Sequence, residues 1–414
     1  MKFGKPAQVA LIAAAALATA TLFTACQQYT STLTVDFLYV PSNQSATGQI
    51  QVLEVDSESG ALRPIPTSPF PSGGRNPIAE VVSPDDLNLY VVNEDDNDIV
   101  QMGIGTDGKL YPQNTVNSAG SFPVSIAINS QGTYMYTADT YSPIPSCSST
   151  NPCPGDISVY SVNSTGQPST PIFNSDANPN YWSLQLSPTN SKTVVTPTAV
   201  NVLANGKYVY ATAYNPATTV PVTYPTSDTY TASNQGYLFA FAVNSDGTLT
   251  ELNNDQPILS GMLPSAMVSD PTSQYLYVAD YQLGQITVYS VQDGLPTVVS
   301  TIPSGSLPLS LSRDKAGNIY VANAGDSTIK MYATNSNGSL SLSGTYAVGT
   351  YPVAVLPDPH QLGFVYSANF LGNTMSGFQL SVNSGALVNT QNSPYPSMLQ
   401  PTAIAGVPHA GSIH

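Results

Sequence analysis

A four-part unit recurs along this 414-residue chain and constrains its fold more than any other feature. Each unit begins with a Pro and a short apolar run, which a turn follows. An apolar segment with a Tyr then ends in Asn or Asp, and an Ile-rich segment and a Gly-x-Leu sequence complete the unit. Four strand-like segments in each unit are typical of β-propeller blades, whereas helical repeats would show amphipathic helices. The Pro anchors are Pro77, Pro123, Pro197, Pro264, Pro308, Pro352 and Pro401.

The two ends of the repeat region complement each other. Residues 37–40 (Phe-Leu-Tyr-Val) begin on the second strand of a unit, and residues 401–406 form an orphan first strand. Together they complete one blade, which closes the ring and hides the sheet edges. The sequence therefore predicts an all-β, seven-bladed β-propeller of four-stranded blades over residues 35–408, followed by a tail at 409–414.

The repeat motifs resemble those of a known family. Residues 276–280 (Leu-Tyr-Val-Ala-Asp) and 319–323 (Ile-Tyr-Val-Ala-Asn) are similar to the seven-bladed lactonase propellers, which include 6-phosphogluconolactonase, and to surface propellers named for a Tyr-Val-Thr-Asn motif. The resemblance extends from Phe37 to Gly406. It implies the fold, but an activity has to be argued from a site because one fold hosts many functions.

The first 34 residues have the pattern of an export signal. Lys2 and Lys5 precede an apolar, Ala-rich run, and small residues precede Cys26. This resembles the lipobox of bacterial lipoproteins, which predicts a signal peptide at 1–25, a lipidated Cys26 and a tether at 26–34. The protein would then be exported and lipid-anchored at a membrane of the cell envelope. An ordinary secretory signal or an uncleaved anchor is the alternative.

The other two cysteines, Cys147 and Cys153, close a short loop. In an oxidising compartment such a pair favours a disulfide, because a zinc site would need further Cys or His ligands nearby. We predict a Cys147–Cys153 disulfide and no dedicated metal site.

The charge of the chain restricts its partners. The formal net charge is −15, and it becomes −17 once residues 1–25, with their two lysines, are removed. Such a chain repels nucleic acids and anionic substrates unless a basic patch intervenes, and the sequence contains none. We therefore exclude nucleic acid and expect a glycan, small-molecule or protein ligand.

The long insertions all fall on one face of the predicted propeller. Loops that enter strand one or leave strand two share a face, here called the top face; the opposite face is the lower face. Residues 140–155, 168–196 and 214–235 lie in such loops. Trp182, the only Trp, could stack on a sugar ring or another flat ligand there. Alternatively, these aromatic residues pin polar loops to the scaffold.

A polar residue recurs at the end of strand two. A ring of these side chains near the channel mouth would suit Ca²⁺ or sugar hydroxyls, since both accept oxygen ligands. Alternatively, they close turns by bonding local backbone groups. We keep them as candidate ligand-binding residues and expect no obligatory cofactor, with Ca²⁺ as the one cation to consider: Asn93, Asp139, Asp280, Asn323 and Asn369.

Glu80 breaks the pattern of strand one. Three residues after each Pro, the other units have Ile, Val, Met, Leu, Val and Ile. A carboxyl group on the innermost strand should be desolvated and have a raised pKa unless it is paired. Arg75, on the loop that enters the same strand, is a candidate partner for Glu80 or an anchor for a ligand carboxylate. A purely structural contact is the alternative.

Three functions remain open from the sequence. Lactone hydrolysis needs a base or metal to activate water and donors for the oxyanion. The resemblance implies His, Arg and Glu near the channel mouth, but His360 lies in a lower-face turn, and His409 and His414 lie in the tail. We therefore expect a ligand- or partner-binding propeller. The alternatives are a lactonase that uses Glu80 and Arg75, and a structural or adhesive surface protein.

Overall fold

A computed structural model describes residues 33–43, 47–144, 154–174, 180–186, 194–223, 229–254 and 256–409, with the backbone alone for 217–233. These residues form seven antiparallel sheets and two short 3₁₀ turns, η1 (Glu94–Asp96) and η2 (Gln292–Gly294). The predicted all-β, seven-bladed propeller is confirmed. In this described part of the chain, no helix is long and apolar enough to cross a membrane.

The first four blades in chain order differ mainly in their outermost strands. Blade one contains β1 (Thr34–Ser42), β2 (Gln49–Asp56), β3 (Leu62–Pro64), β4 (Phe70–Pro71) and β31 (Ala405–Pro408). Blade two contains β5 (Pro77–Val82), β6 (Asn88–Asn93), β7 (Asp98–Ile104) and β8 (Leu110–Asn117). Blade three contains β9 (Ser121–Ile128), β10 (Tyr134–Tyr141), β11 (Asp156–Ser161) and β12 (Trp182–Ser183). Blade four contains β13 (Thr196–Val202), β14 (Tyr208–Thr223), β15 (Thr229–Val243), β16 (Leu249–Glu251) and β17 (Ile258–Met262).

The last three blades follow the repeat more closely. Blade five contains β18 (Pro264–Ser269), β19 (Tyr275–Asp280), β20 (Gln285–Ser290) and β21 (Thr297–Pro303). Blade six contains β22 (Pro308–Arg313), β23 (Ile319–Asn323), β24 (Thr328–Thr334) and β25 (Leu340–Ala347). Blade seven contains β26 (Pro352–Pro357), β27 (Phe364–Asn369), β28 (Thr374–Leu380), β29 (Leu387–Asn389) and β30 (Tyr395–Pro396).

The two chain ends close the ring as predicted. Strand β31 pairs with β1 in a register that runs from Asp36 opposite Pro408 to Tyr39 opposite Ala405. The paired strand begins at Ala405 rather than at Pro401, which makes only an isolated bridge to Ser42. The other inner strands likewise have a register shift after the Pro, for example between Pro77 and Ala79. The predicted first strand therefore starts with a bulge.

The recurring Tyr of strand two lies in the layers between blades, and in four blades its hydroxyl bonds the neighbouring blade. These tyrosines are almost fully buried, and several donate their hydroxyl to a Gly carbonyl in a turn of the neighbouring blade. Tyr90 bonds Gly166 O at 2.6 Å, and Tyr366 bonds Gly60 O at 2.8 Å. A Tyr suits this position because its ring fills the apolar layer between blades while its hydroxyl reaches a polar turn.

The insertion at 214–235 is not an irregular loop. Strands β14 and β15 continue past the blade as a hairpin and stay paired up to Thr223 opposite Thr229. The polar residues and three prolines of this stretch predicted a loop, but strands two and three of blade four are instead lengthened.

Candidate functional site

The seven inner strands surround a central cavity of about 460 Å³. Hydroxyl and amide side chains contribute its polar lining, among them Ser125, Thr198, Asn201 and Ser310. Some of these groups also join neighbouring blades, since the Ser125 hydroxyl accepts from the Val200 amide at 3.1 Å. The cavity is therefore lined by neutral hydrogen-bonding groups on a rigid frame.

Glu80 is one of the residues that line this cavity, but both of its carboxyl oxygens are buried. The Ala405 amide of β31 faces the carboxyl group without the geometry of an ordinary hydrogen bond, so neither oxygen has a hydrogen-bond partner among the described residues. Burial raises the pKa of Glu80 well above its usual range, and the Ala405 amide opposes this only in part. Burial thus favours the protonated form of Glu80 in the folded protein.

The structural equivalents of Glu80 explain what surrounds it. In five other blades the side chain three residues after the Pro belongs to the apolar layer between blades: Ile126, Val200, Met267, Leu311 and Val355. Glu80 occupies the same position beside the layer that includes Tyr39, Val91 and Ala405. A carboxyl group has therefore replaced an apolar side chain without gaining a polar partner.

Arg75 does not pair with Glu80, so that expectation is wrong. Its Nε donates to Asp96 Oδ1 at 2.7 Å, and its backbone amide donates to Asp96 Oδ2 at 2.7 Å. A third bond runs from the guanidinium to Asp95 O at 3.0 Å. The exposed loop before strand β5 carries Arg75 over η1, and the hydrogen bond from Arg75 lowers the pKa of Asp96. Arg75 is therefore engaged with the acidic turn of its own blade.

The polar residues at the ends of strand two are buried and hydrogen-bonded to protein groups. Asn93 accepts from Ser72 Oγ at 3.0 Å and donates to Asp98 Oδ1 at 2.8 Å. Asn369 donates to Thr374 Oγ1 at 3.1 Å, and Ser304 donates to Asn323 at 2.6 Å. This placement favours the interpretation that these residues close turns. Their binding of a sugar or of Ca²⁺ stays a prediction.

The aspartates of this series lie in equally protected positions. Asp280 accepts from the backbone amides of Met262 and Leu283. Burial raises its pKa to about 6, although these amides oppose the shift. Asp139 accepts from hydroxyl groups of Ser118 and Ser158. Across the described residues, no group of three or more His, Cys, Asp or Glu side chains is placed to hold a metal ion.

Trp182 is a structural residue of blade three. It lies in the outermost strand β12, is 6% exposed, and packs in the apolar layer between blades three and four. Its indole Nε1 donates to Leu249 O at 2.8 Å. The face of the indole is therefore not displayed at the channel mouth, in contrast to the first of the two interpretations. Cys26, Cys147 and Cys153 lie outside the described residues, so lipidation and the disulfide stay predictions.

A ring of left-handed residues at the channel mouth was missed by the sequence analysis. Six residues that each precede an inner-strand Pro have φ between 52° and 59°: Asn76, Phe122, Leu263, Leu307, Tyr351 and Gln400. In four of them the carbonyl group accepts from the backbone amide of the residue that follows strand two, as in Tyr281 N to Leu263 O at 3.0 Å and Phe370 N to Tyr351 O at 2.9 Å. Bulky residues seldom adopt positive φ, so this conformation could not be predicted from the residue types.

Three aromatic and two leucine side chains follow from this ring at the top of blades five to seven. We call them the aromatic arc: Leu263, Tyr281, Leu307, Tyr351 and Phe370. The rings of Tyr351 and Phe370 are 6.3 Å apart. The Tyr281 hydroxyl faces that of Tyr351, and partial burial together with this contact raises the pKa of Tyr281 to about 12. Blade two instead presents Arg75 and the acidic turn η1. The mouth therefore has an apolar side and a charged side.

The described histidines lie at the other end of the channel. His360 is in a lower-face turn of blade seven, with Nδ1 3.0 Å from Asp36 Oδ1. His409 follows β31 and packs its ring edge-on against Phe37, with the ring centroids 5.2 Å apart. Neither side chain can reach a ligand at the top face.

Comparison with known proteins identifies the relatives of this propeller. A sequence model of the family described as "Lactonase, 7-bladed beta-propeller" matches residues 37–178 and 182–306. No curated protein sequence matches the chain significantly.

Solved structures of the same fold cover most of the chain. A Bacteroides uniformis protein provisionally named a 6-phosphogluconolactonase is 18% identical, with a TM-score of 0.69, over 90% of this chain and 99% of its own. The periplasmic gluconolactonase of Pseudomonas aeruginosa gives the same values. A Lactobacillus plantarum protein is 16% identical, with a TM-score of 0.67, over 91% of this chain and 100% of its own.

Proposed function

The chain belongs to the family of seven-bladed β-propeller lactonases, and from that premise we propose that it binds a ligand at its top face without hydrolysing it. One observation carries the proposal: among the residues that the structure describes, the catalytic candidates Glu80 and Arg75 and the histidines are not brought together at the channel mouth. Glu80 is buried, Arg75 is bonded to Asp96, and the described histidines lie at the lower face. General acid–base catalysis needs such a group within hydrogen-bond reach of the reacting atoms.

The chemistry of the mouth favours a neutral ligand with a ring and hydroxyl groups, such as a carbohydrate. The aromatic arc offers apolar ring faces, and rings of this kind stack on flat ligands. Below it, the neutral hydroxyl and amide groups of the cavity can exchange hydrogen bonds with a ligand. The net charge of −17 after removal of residues 1–25 disfavours phosphorylated or otherwise anionic ligands.

We further infer that the protein acts in the cell envelope as a lipoprotein. The support is the lipobox-like sequence that ends at Cys26, with its basic start and apolar run. Incorporation of labelled palmitate into the wild type, and its loss in Cys26→Ser, is the expected result. Soluble release of the wild type without label would contradict it.

Lactone hydrolysis is the second candidate function, and family membership favours it. The Pseudomonas aeruginosa relative is named a gluconolactonase, which states an activity of that protein. For this chain, hydrolysis would require Glu80 to emerge from its buried position and to lose its proton. A structural or adhesive surface role is the third candidate, and it would leave the mouth without a ligand.

A binding assay with a matched pair of Tyr variants tests the proposal. We expect neutral glycans, and not their phosphorylated or sulfated forms, to bind on a glycan array. Tyr351→Asn should abolish this binding, and Asn is tolerated there because Asn76 has the same backbone conformation in blade two. Tyr111→Asn is the control, because Tyr111 is an exposed tyrosine on the outer strand β8. Unchanged binding by Tyr351→Asn, or a preference for anionic glycans, would overturn the proposal.

A further inference from the structure

Two buried carboxyl groups face each other in blade three. Asp139 of β10 and Asp156 of β11 are register partners at the top end of the blade, and both side chains are fully buried. We propose that Asp139 and Asp156 share one proton, and that loss of this proton loosens the top corner of blade three. The inference is independent of what the top face binds.

The hydrogen bonds around the pair come only from neutral groups. Asp139 accepts from Ser118 Oγ, from Ser158 Oγ at 2.9 Å and from the Gly120 amide at 3.3 Å. Asp156 Oδ1 accepts a longer bond from Ser158 Oγ at 3.4 Å. Asp156 Oδ2 is buried and has no hydrogen-bond donor within the described ranges. A proton between the two carboxyl groups would supply the missing donor.

No cation compensates the pair within the described part of the chain. The titratable groups that face it are tyrosines: Tyr160 on β11, whose hydroxyl is 3.4 Å from Ser118 Oγ, and Tyr181 before β12. The neighbouring strands β9 and β13 contribute uncharged residues, with Pro123 opposite Asp139 and Pro197 beside Gly155. Burial raises the pKa of both aspartates, and the charge of Asp139 raises that of Asp156 further.

Blade two contains the same arrangement, with an Asn in place of one of the two aspartates. There Asn93 takes the place of Asp139, and Asp98 takes the place of Asp156. The Asn93 amide donates to Asp98 at 2.8 Å, and Ser72 donates to Asn93 as Ser118 does to Asp139. Replacing the Asn by Asp removes an N–H donor, so two carboxylates would meet unless one keeps its proton.

The pair lies where an ionisation would act on the top face. Ser142 closes the base of the insertion that follows β10, with its amide and hydroxyl donating to Pro154 O at 3.0 and 2.9 Å. Because the folded-state pKa values are raised, the pair stabilises the fold below the ordinary Asp pKa. That stabilisation is lost as the pH rises through the folded-state values. A pH that rises above the ordinary Asp range should therefore open this corner first.

Hydrogen exchange of the full mature protein across pH tests the proposal. After correction for intrinsic exchange, opening of the amides of residues 138–142 and 154–158 should increase by up to about tenfold per pH unit, as loss of one proton requires. Asp139→Asn, which recreates the Asn–Asp pair of blade two, should abolish this dependence. Asn93→Asp should create the same dependence in blade two, and it keeps the test valid if Asp139→Asn does not fold.

An infrared measurement identifies the bound species. The carbonyl band of a protonated carboxyl group should weaken in Asp139→Asn and strengthen in Asn93→Asp. Equal pH dependence in wild type and both variants would overturn the proposal. Protection of the wild-type corner by added Ca²⁺ or Na⁺ at alkaline pH would also overturn it, because a cation would then occupy the place assigned to the proton.

Discussion

Replacing Glu80 by Met should stabilise the protein, and this gain should depend on pH. Met267 occupies the equivalent position in blade five, so the fold accommodates Met there. In the wild type, the Glu80 carboxyl group is buried without a partner within the described residues. A buried polar group left unpaired costs about 1–3 kcal/mol.

The pH dependence of unfolding gives a second contribution to the stability difference between Glu80→Met and wild type. The folded state holds the Glu80 proton, whereas the unfolded chain releases it above its ordinary pKa of 4.5. Stability supplied by this proton is present below that value and is lost as the pH rises, by about 1.4 kcal/mol per pH unit. The loss continues until the pH reaches the raised folded-state pKa of Glu80. Glu80→Met should therefore be more stable than wild type at both pH values, because it removes the unpaired polar group, and its advantage should be larger at neutral pH than near pH 4.5.

Urea unfolding at the two pH values measures this difference. We expect the midpoint of Glu80→Met to exceed that of wild type at pH 7, with an unchanged slope, and the difference between the two midpoints to become smaller at acid pH. Glu80→Gln is the control that removes ionisation but keeps a polar group, so its advantage should be smaller. A Glu80→Met variant that is less stable at pH 7, or equally displaced at both pH values, would refute the reasoning.

Three further variants test separate parts of the structure. Trp182→Phe should lower the free energy of unfolding by about 1–3 kcal/mol, because the buried Leu249 carbonyl loses its donor. Glycan binding should stay intact, and loss of binding with unchanged stability would contradict this. The free energy of unfolding of wild type should fall by about 3 kcal/mol relative to that of Asp280→Asn as the pH rises from below 3.8 through 6. The reason is that the raised pKa of Asp280 favours the protonated folded state. A difference that does not change with pH would refute this. Arg75→Ala should leave the unfolding temperature unchanged, since its ion pair with Asp96 is exposed, and a clear drop would show a structural role.

The fold could be predicted from the sequence because its signal repeats. The strand-two Tyr is buried in every blade, and the chain ends supply complementary strands of one sheet. Tyr39 and Tyr366, at opposite ends of the chain, make the same bond to a neighbouring Gly carbonyl. The same weak pattern, repeated seven times along the chain, therefore indicated one architecture.

The site could be predicted only in part, because it depends on side-chain direction and backbone conformation. The repeats show Glu80 at a position that is apolar in the other blades, but they cannot show where its carboxyl group is buried. The aromatic arc depends on positive φ at Leu263, Leu307 and Tyr351, for which bulky residues give no signal. Trp182 was assigned to a loop because nothing in its neighbourhood marked the outermost strand.

The central claim is that the top face binds without catalysing hydrolysis, and a turnover assay tests it most directly. Gluconolactone and a panel of neutral lactones are incubated with purified mature protein, with and without Ca²⁺, and hydrolysis is followed by NMR against a buffer control. The proposal predicts decay at the buffer rate for wild type, Glu80→Gln and Arg75→Ala alike. Accelerated hydrolysis by the wild type that is lost in Glu80→Gln would contradict it and establish a lactonase.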